Sequence, residues 1–464
     1  MALSSALFSG ITGLSTLGEA MQVIGDNIAN VNTIGFKSST YTFQDLLSQA
    51  VATRAGTSQV GKGVTLSDIY QSFQQGSFET TSNTTDLAIG GSGFFQVRDA
   101  DSTNMFLTRA GNFRFDRDGC LVNPEGFVVQ GWELNDDGQD ISSVTDIRLD
   151  SLTSPPMASD EIRLILNLDQ SEVPASTDDI EDAWNALDSP PMGDNSSLYQ
   201  TSIKVYDNLG ATHDITAYFD KTGTEHEWEF ALTCNPAEDN RAAFDVDAEE
   251  RGLLARGSLT FEESSGQIND MSLELQTSPG TWNDAGIDPS GYFEFETEFI
   301  SGEEQLIALN FGSFFDGGGW APDSLSTTQF AKASTTVFQS STGYGAGDLQ
   351  GVNVDVDGVI TGIYSNGEVI PLYRVALADV VNPIGLEKVG GNLYKTTRLS
   401  GEAPTYRPGT NGTGNISPNS LEQSNVDIAN EFVKMITTQR GFQANGKIIT
   451  VTDQMLQELI NLKR

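Results

Sequence analysis

Histidine and cysteine are almost missing from this chain of 464 residues: His213, His226, Cys120 and Cys234 are all there is. Two histidines and two distant thiols do not supply the three or four closely spaced ligands of a zinc site. Two cysteines also exclude a disulfide scaffold, leaving open either one bridge or two separate thiols. Long apolar runs are missing as well. No stretch approaches the roughly 18 residues a membrane-spanning helix needs. The opening MALSSALFSGITGLSTLGEAMQ has no basic region and does not read as a cleaved signal peptide. Basic residues are few: 25 Lys and Arg stand against 64 Asp and Glu, for a net charge of −39. Such a surface repels nucleic-acid phosphates and anionic membranes, so neither is an expected partner.

No catalytic constellation emerges, and no cofactor or metal is expected. GGSGFF (90–95) and DGGGW (316–320) lack the lysine and following helix of a phosphate loop. Asp355, Asp357 and Gly358 begin like a calcium loop but lack its downstream acid, and read as a hairpin turn. With 64 acidic residues, any pair of carboxylates could be offered as a glycosidase acid and base, so none is informative.

What is present is a pair of helical ends. Leu7, Leu14, Met21 and Ile28 recur every seven residues, and Leu3, Gly10, Leu17, Ile24 and Val31 form a second row. Together they make a seam of the coiled-coil kind. One amphipathic helix lying on a globular core would give the same stripe. Gly10, Gly13, Gly18 and Gly25 weaken the helix, which therefore needs partners. At the other end Ile428, Met435, Phe442, Ile449 and Leu456 recur with the same period, supported by Phe432 and Ile460. Ser424, Asn425 and Asp427 suit the start of that helix. Both ends are nearly neutral: residues 1–50 hold one basic and three acidic residues, and 421–464 hold five of each. The acidity lies between them, so the ends are the electrostatically favoured contact regions.

Between the ends the pattern is β. The expected fold class is a mainly β multidomain protein whose N- and C-terminal α-helices pair as a coiled-coil-like assembly domain. Its domains are nested and discontinuous. Residues 1–32 and 424–464 form the helical layer. Residues 33–85 and 400–423 form extended linkers, and 86–148 with 330–399 an inner β domain. Residues 149–329 are an inserted acidic outer β domain, read as one unit or two subdomains. Both histidines fall in expected strands of that insertion.

Five segments resemble the axial proteins of the bacterial flagellum, the hook members more than the rod members. They are IGDNIANVNTIGFKSSTYTFQDLL (24–47), DLAIGGSGFFQV (86–97), TRAGNFRFDRDGCLVNPEGFVVQGW (108–132), YSNGEVIPLYRVALADVVNPIGLEKVGGNLY (364–394) and SNVDIANEFVKMITTQRGFQANGKIITVTDQMLQELINL (424–462). The resemblance implies a self-polymerising hollow curved tube, the hook, that joins motor to filament and has the terminal helices on its inside. It implies an extracellular location and export by the flagellar type III apparatus. The implied partners are further copies, the distal rod, the hook cap and the hook–filament junction protein. Asn27, Asn30, Asn32, Thr33, Gly35 and Phe36 match the family's N-terminal motif. Asn425, Val426, Glu431, Met435, Gln439, Arg440, Phe442, Asn445 and Lys447 match its C-terminal one. The resemblance implies a helix–helix seam for the apolar members and side-chain bonds between subunits for the Asn and Gln members. The long acidic middle and the APTYRPG linker depart from the family pattern. The competing expectations are a distal rod protein and, for residues 150–330, an acidic extracellular carbohydrate-binding or enzymatic module.

Overall fold

The computed structural model describes residues 2–462 except 54–55, 101, 136–137, 142, 150, 177–178, 246 and 301. Two long helices bracket a chain that is otherwise strand and turn: α1 (Ala2–Ala29) and α2 (Ile428–Leu462). Two compact units result. One comprises Met1–Leu152, Leu349–Ile363 and Glu368–Arg464, and the other Thr153–Asp348 with Tyr364–Gly367.

In the first unit, the two halves of the chain interleave in one antiparallel sheet. Val128–Glu133 pairs on one side with Phe94–Arg98 and on the other with Val369–Val375 from the second half. Leu393–Lys395, also from the second half, pairs with Met105–Thr108. Two short ladders continue the interleaving toward the helices: Leu87–Gly90 with Asn415–Pro418, and Phe78–Thr80 with Ser420–Glu422. Leu87, Phe95, Val97, Phe113, Val129, Val375 and Leu377 form the core, with Phe95 and Phe113 meeting edge to face at 5.1 Å. A hairpin of Ser39–Asp45 and Val64–Gln71 lies on α1. The Thr12 hydroxyl accepts the Val64 N–H there at 3.4 Å.

The second unit has two sheets around one core. Six antiparallel strands run in sequence order from Tyr199–Tyr206 to Thr281–Asp284. The other sheet joins Phe293–Ile300, Glu303–Asn310, Glu161–Asp169, Thr328–Phe330 and Thr335–Ser341. Phe219, Trp228, Phe230, Phe295 and Phe311 are fully buried between them. The strand FEFETEFI explains how so acidic a segment folds. Phe293, Phe295, Thr297 and Phe299 point inward while Glu294, Glu296 and Glu298 alternate toward water. The expected insertion boundary at 329 falls inside this unit, because Thr335–Ser341 pairs along Glu161–Asp169.

His213 lies in the strand Thr212–Lys221. His226 does not lie in a strand; it occupies the turn before Glu227 at φ +65°. Cys120 and Cys234 are both free thiols. Among the described residues no cluster of three or more His, Cys, Asp or Glu side chains could hold a metal, and no helix is long and apolar enough to cross a membrane.

Burial, aided by Asp179, Asp220 and Glu181, raises the Glu229 carboxyl from 4.5 to about 7. The folded state therefore holds this proton more tightly than the unfolded state. Its stabilising contribution is full below pH 4.5 and is lost as pH rises through 7. Glu229 is half-buried, so after solvent screening about 1–2 kcal/mol is expected. Urea denaturation should show that loss between pH 4.5 and 7.5, and Glu229→Gln should flatten it. In the same assay Phe230→Ala should cost about 3–5 kcal/mol by leaving a cavity.

Candidate assembly interface

The two helices run antiparallel against each other. A Cβ built on Gly10 would lie 3.1 Å from Ile449, one on Gly13 2.8 Å from Asn445 Nδ2, and one on Gly441 3.2 Å from Leu17. Further along, Asn27 Nδ2 donates to Glu431 Oε2 at 3.4 Å. The buried residues along α1 include Gly10, Gly13, Thr16, Ala20, Val23, Ile24 and Asn27, and those of α2 include Glu431, Thr438 and Thr452. Small and hydroxylated residues let the axes approach. Thr16 and Thr452 return their hydroxyl protons to carbonyls of their own helices. Gly10 and Gly13, which weaken α1 as an isolated helix, are its points of closest contact.

The seven-residue rows are divided between this contact and the outside: Ile24 is fully buried, and Leu17 and Ile449 pack against Gly441 and Gly10. Leu7, Leu14, Leu17, Met21 and Ile28 are half-buried, as are Met435, Asn445, Ile449 and Leu456. Ile428, Phe432 and Phe442 are exposed, as are Asn32 and Gln439. Several of the amides have partners within the chain. Asn27 makes a two-way bond with the Ser39 main chain, at 2.9 and 2.8 Å. Asn30 Nδ2 donates to Asp26 O at 2.9 Å and closes the end of α1. Asn445 Nδ2 donates to Gly441 O at 3.1 Å. Asp427 caps α2, its Oδ1 accepting from the Ala429 and Asn430 amides. Asn425 is drawn away from the cap: its amide donates to Ser72 O and Gln74 O, and its oxygen accepts the Ser38 N–H.

Sequence patterning missed the group that ties these helices to the sheet. Glu422, fully buried just before α2, accepts Lys37 Nζ at 2.7 Å and Arg109 Nη1 at 3.4 Å. The Gly76 N–H also donates to Glu422 Oε1, and the Gly35 N–H to its main-chain oxygen. Lys37 gives a second bond to Gln74 O at 2.8 Å, and Arg109 one to Gly91 O at 2.7 Å. Burial pulls the Lys37 and Arg109 cations below their usual ranges, and Glu422 opposes it in both. Gly35 is required at this crossing. Its φ is +68°, and a Cβ would sit 2.6 Å from the Ala110 nitrogen. The one available signal was Lys37, the only basic residue in the first 50.

Replacing Glu422 by Gln would leave two buried cations without their anion. A loss of about 3–5 kcal/mol is expected, read as a lower urea midpoint of the first unit and faster hydrogen exchange at the Gly35 amide.

Four families match along the chain: "Flagella basal body rod protein" at residues 7–37, "Flagellar hook protein FlgE/F/G D1 domain" at 88–163, "Flagellar basal body protein FlaE D2 domain" at 167–344 and "Flagellar basal body rod FlgEFG protein C-terminal" at 417–462. The flagellar hook protein FlgE of Borreliella burgdorferi is 35% identical, with 99% of each chain covered. That of Treponema pallidum is 33% identical at the same coverage. A crystal structure of Helicobacter pylori flagellar hook protein FlgE2 covers 74% of this chain and all of its own, at 16% identity and a TM-score of 0.47. With relatives this similar over nearly their full length, the chain belongs to the flagellar hook protein family, FlgE.

Proposed function

We propose that the chain is a non-enzymatic structural subunit of the flagellar hook, a hollow curved polymer that acts as a universal joint and passes motor torque to the filament. The observation that carries this reading is the helix pair. It closes through small and polar residues and leaves Phe8, Ile11, Phe432, Val433, Ile436, Phe442 and Ile448 each 46% exposed or more. Large apolar side chains left in water along paired helices mark a surface that other chains cover. Leu7, Leu14, Leu17, Met21, Ile24 and Ile28 with Ile428, Phe432, Met435, Phe442, Ile449 and Leu456 are the residues assigned to packing in and between helix pairs. Asn32 and Gln439, exposed in the single chain, are assigned to polar bonds between copies. Asn27, Asn30 and Asn445 hold the subunit in the shape that assembles.

In this reading the nested layers follow the resemblance: helices innermost, linkers, inner β domain, acidic domain outermost. The subunit leaves the cell through the flagellar type III apparatus. It meets the distal rod below, the cap during growth and the junction protein above. The rod reading draws on the family matches at the two ends, and the acidic unit matched by the D2 family weighs for the hook. A straight, unbending tube from purified chain would favour the rod.

Deleting residues 1–30 or 430–464 should leave the second unit folded by circular dichroism and abolish tubes in electron micrographs. Ordered tubes from both truncations would overturn the reading.

A further inference from the structure

Resting on the polymer reading above, we propose that the groove between α1 and its hairpin receives the far face of α2 from a second copy. Paired charges, Glu19 and Asp26 against Lys447 and Arg440, fix the register.

The groove, about 770 Å³, is floored by Val23, Leu66 and Ile69 and edged by Glu19 and Asp26. Ile69 is 47% exposed. Glu19 has no ion-pair or hydrogen-bond partner among the described residues, and Asp26 shares one oxygen with Asn30 at 3.1 Å. An apolar floor with two carboxylates on one rim fits an apolar helix face bearing two cations.

The chain carries such a face. Val433, Ile436, Arg440, Ala444 and Lys447 follow steps of three and four and are all exposed. They form the side of α2 turned away from its own α1, since Arg440 stands two residues, about 200°, from the buried Thr438. Arg440 and Lys447 have no ion-pair partner among the described residues. They are seven residues apart, as Glu19 and Asp26 are, so both charge pairs span about 10.5 Å along a helix.

Within one chain these groups cannot meet, because the groove lies beyond α1 and the basic stripe on the outer side of α2. Copies stacked along one tube keep the antiparallel sense of α1 and α2. That sense brings Glu19 to Lys447 and Asp26 to Arg440, with Ala444 between the two charge pairs over Val23, and Ile436 and Val433 continuing the face past the end of α1.

The test is a charge exchange in the full-length chain, with polymer pelleted at about 50 mM salt to limit screening. E19K/D26K and R440E/K447E should each lower pelleted polymer at least tenfold, while circular dichroism matches the wild type. The fourfold variant should recover at least half. Wild-type polymer yield from either double variant, or a folded fourfold variant that stays monomeric, would overturn the proposal. Loss in E19K/D26K alone would mean that another part of the partner fills the groove, which also overturns it. If the fourfold variant does not fold, D26C/R440C in a C120S background decides. A disulfide-linked ladder in the polymer supports the proposal and its absence sinks it. Wild-type chain that forms no tube would instead count against the polymer reading.

Discussion

Everything in the helical unit depends on one buried anion. Glu422 meets Lys37 from the segment leaving α1, Arg109 from the sheet and the Gly76 amide from the stretch beyond the hairpin. Desolvating three charged groups is expensive, and the arrangement is tolerable only while every partner stays in reach. Two close approaches reinforce it: a Cβ on Gly35 would strike the Ala110 nitrogen, and one on Gly76 the Gln423 carbonyl at 2.0 Å. The chain thus has one way to leave α1 and one way to enter α2. Segments almost 400 residues apart in sequence are held in register by charge and by backbone contact, before any helix packing is counted.

That fixed crossing explains the division of labour on the helices. Once the ends are placed, α1 and α2 pack through Gly, Ala and Thr, which bring backbones close, together with a few large residues such as Leu17, Ile24 and Ile449. The remaining long side chains are then free for a different purpose. A monomer that spent Phe432 and Ile436 on its own α1 would have a more stable helix pair and a poorer surface for neighbours. On the proposed reading, charge keeps single copies apart and the apolar rows supply cohesion in the polymer.

The sequence revealed elements better than contacts. Both helices were legible because seven-residue apolar spacing is a strong signal, and FEFETEFI because strict alternation leaves one reading. The face used inside the chain was only partly legible: Gly10, Leu17 and Ile24 stand in a seven-residue row, but Gly13, Thr16 and Ala20 carry no hydropathy signal, and their role appears only when a second helix is set against them. Glu422 was invisible for another reason. It is one acidic residue among 64, and its partners lie 385 and 313 positions away. The end of the insertion was misplaced near 329 because Thr335–Ser341 matches the texture of the inner sheet while its hydrogen bonds go to Glu161–Asp169. His226 was read into a strand because a positive φ at a non-glycine turn leaves no mark in composition.

Charge decides which part of the molecule can supply cohesion. Residues 153–348 hold 36 acidic and 7 basic residues, a net of −29 out of −39. Between copies such units repel within the Debye length, about 8 Å at physiological salt. A polymer held together by these units would have to overcome that repulsion at every contact. The terminal segments carry almost no net charge, and the proposed register pairs Glu19 and Asp26 of α1 with Lys447 and Arg440 of α2. On the proposed reading, association energy is concentrated in the helices. Weak, screened repulsion elsewhere lets neighbouring acidic units change their spacing at small cost. A joint that must bend without coming apart needs both properties, and the proposed assembly assigns them to different residues.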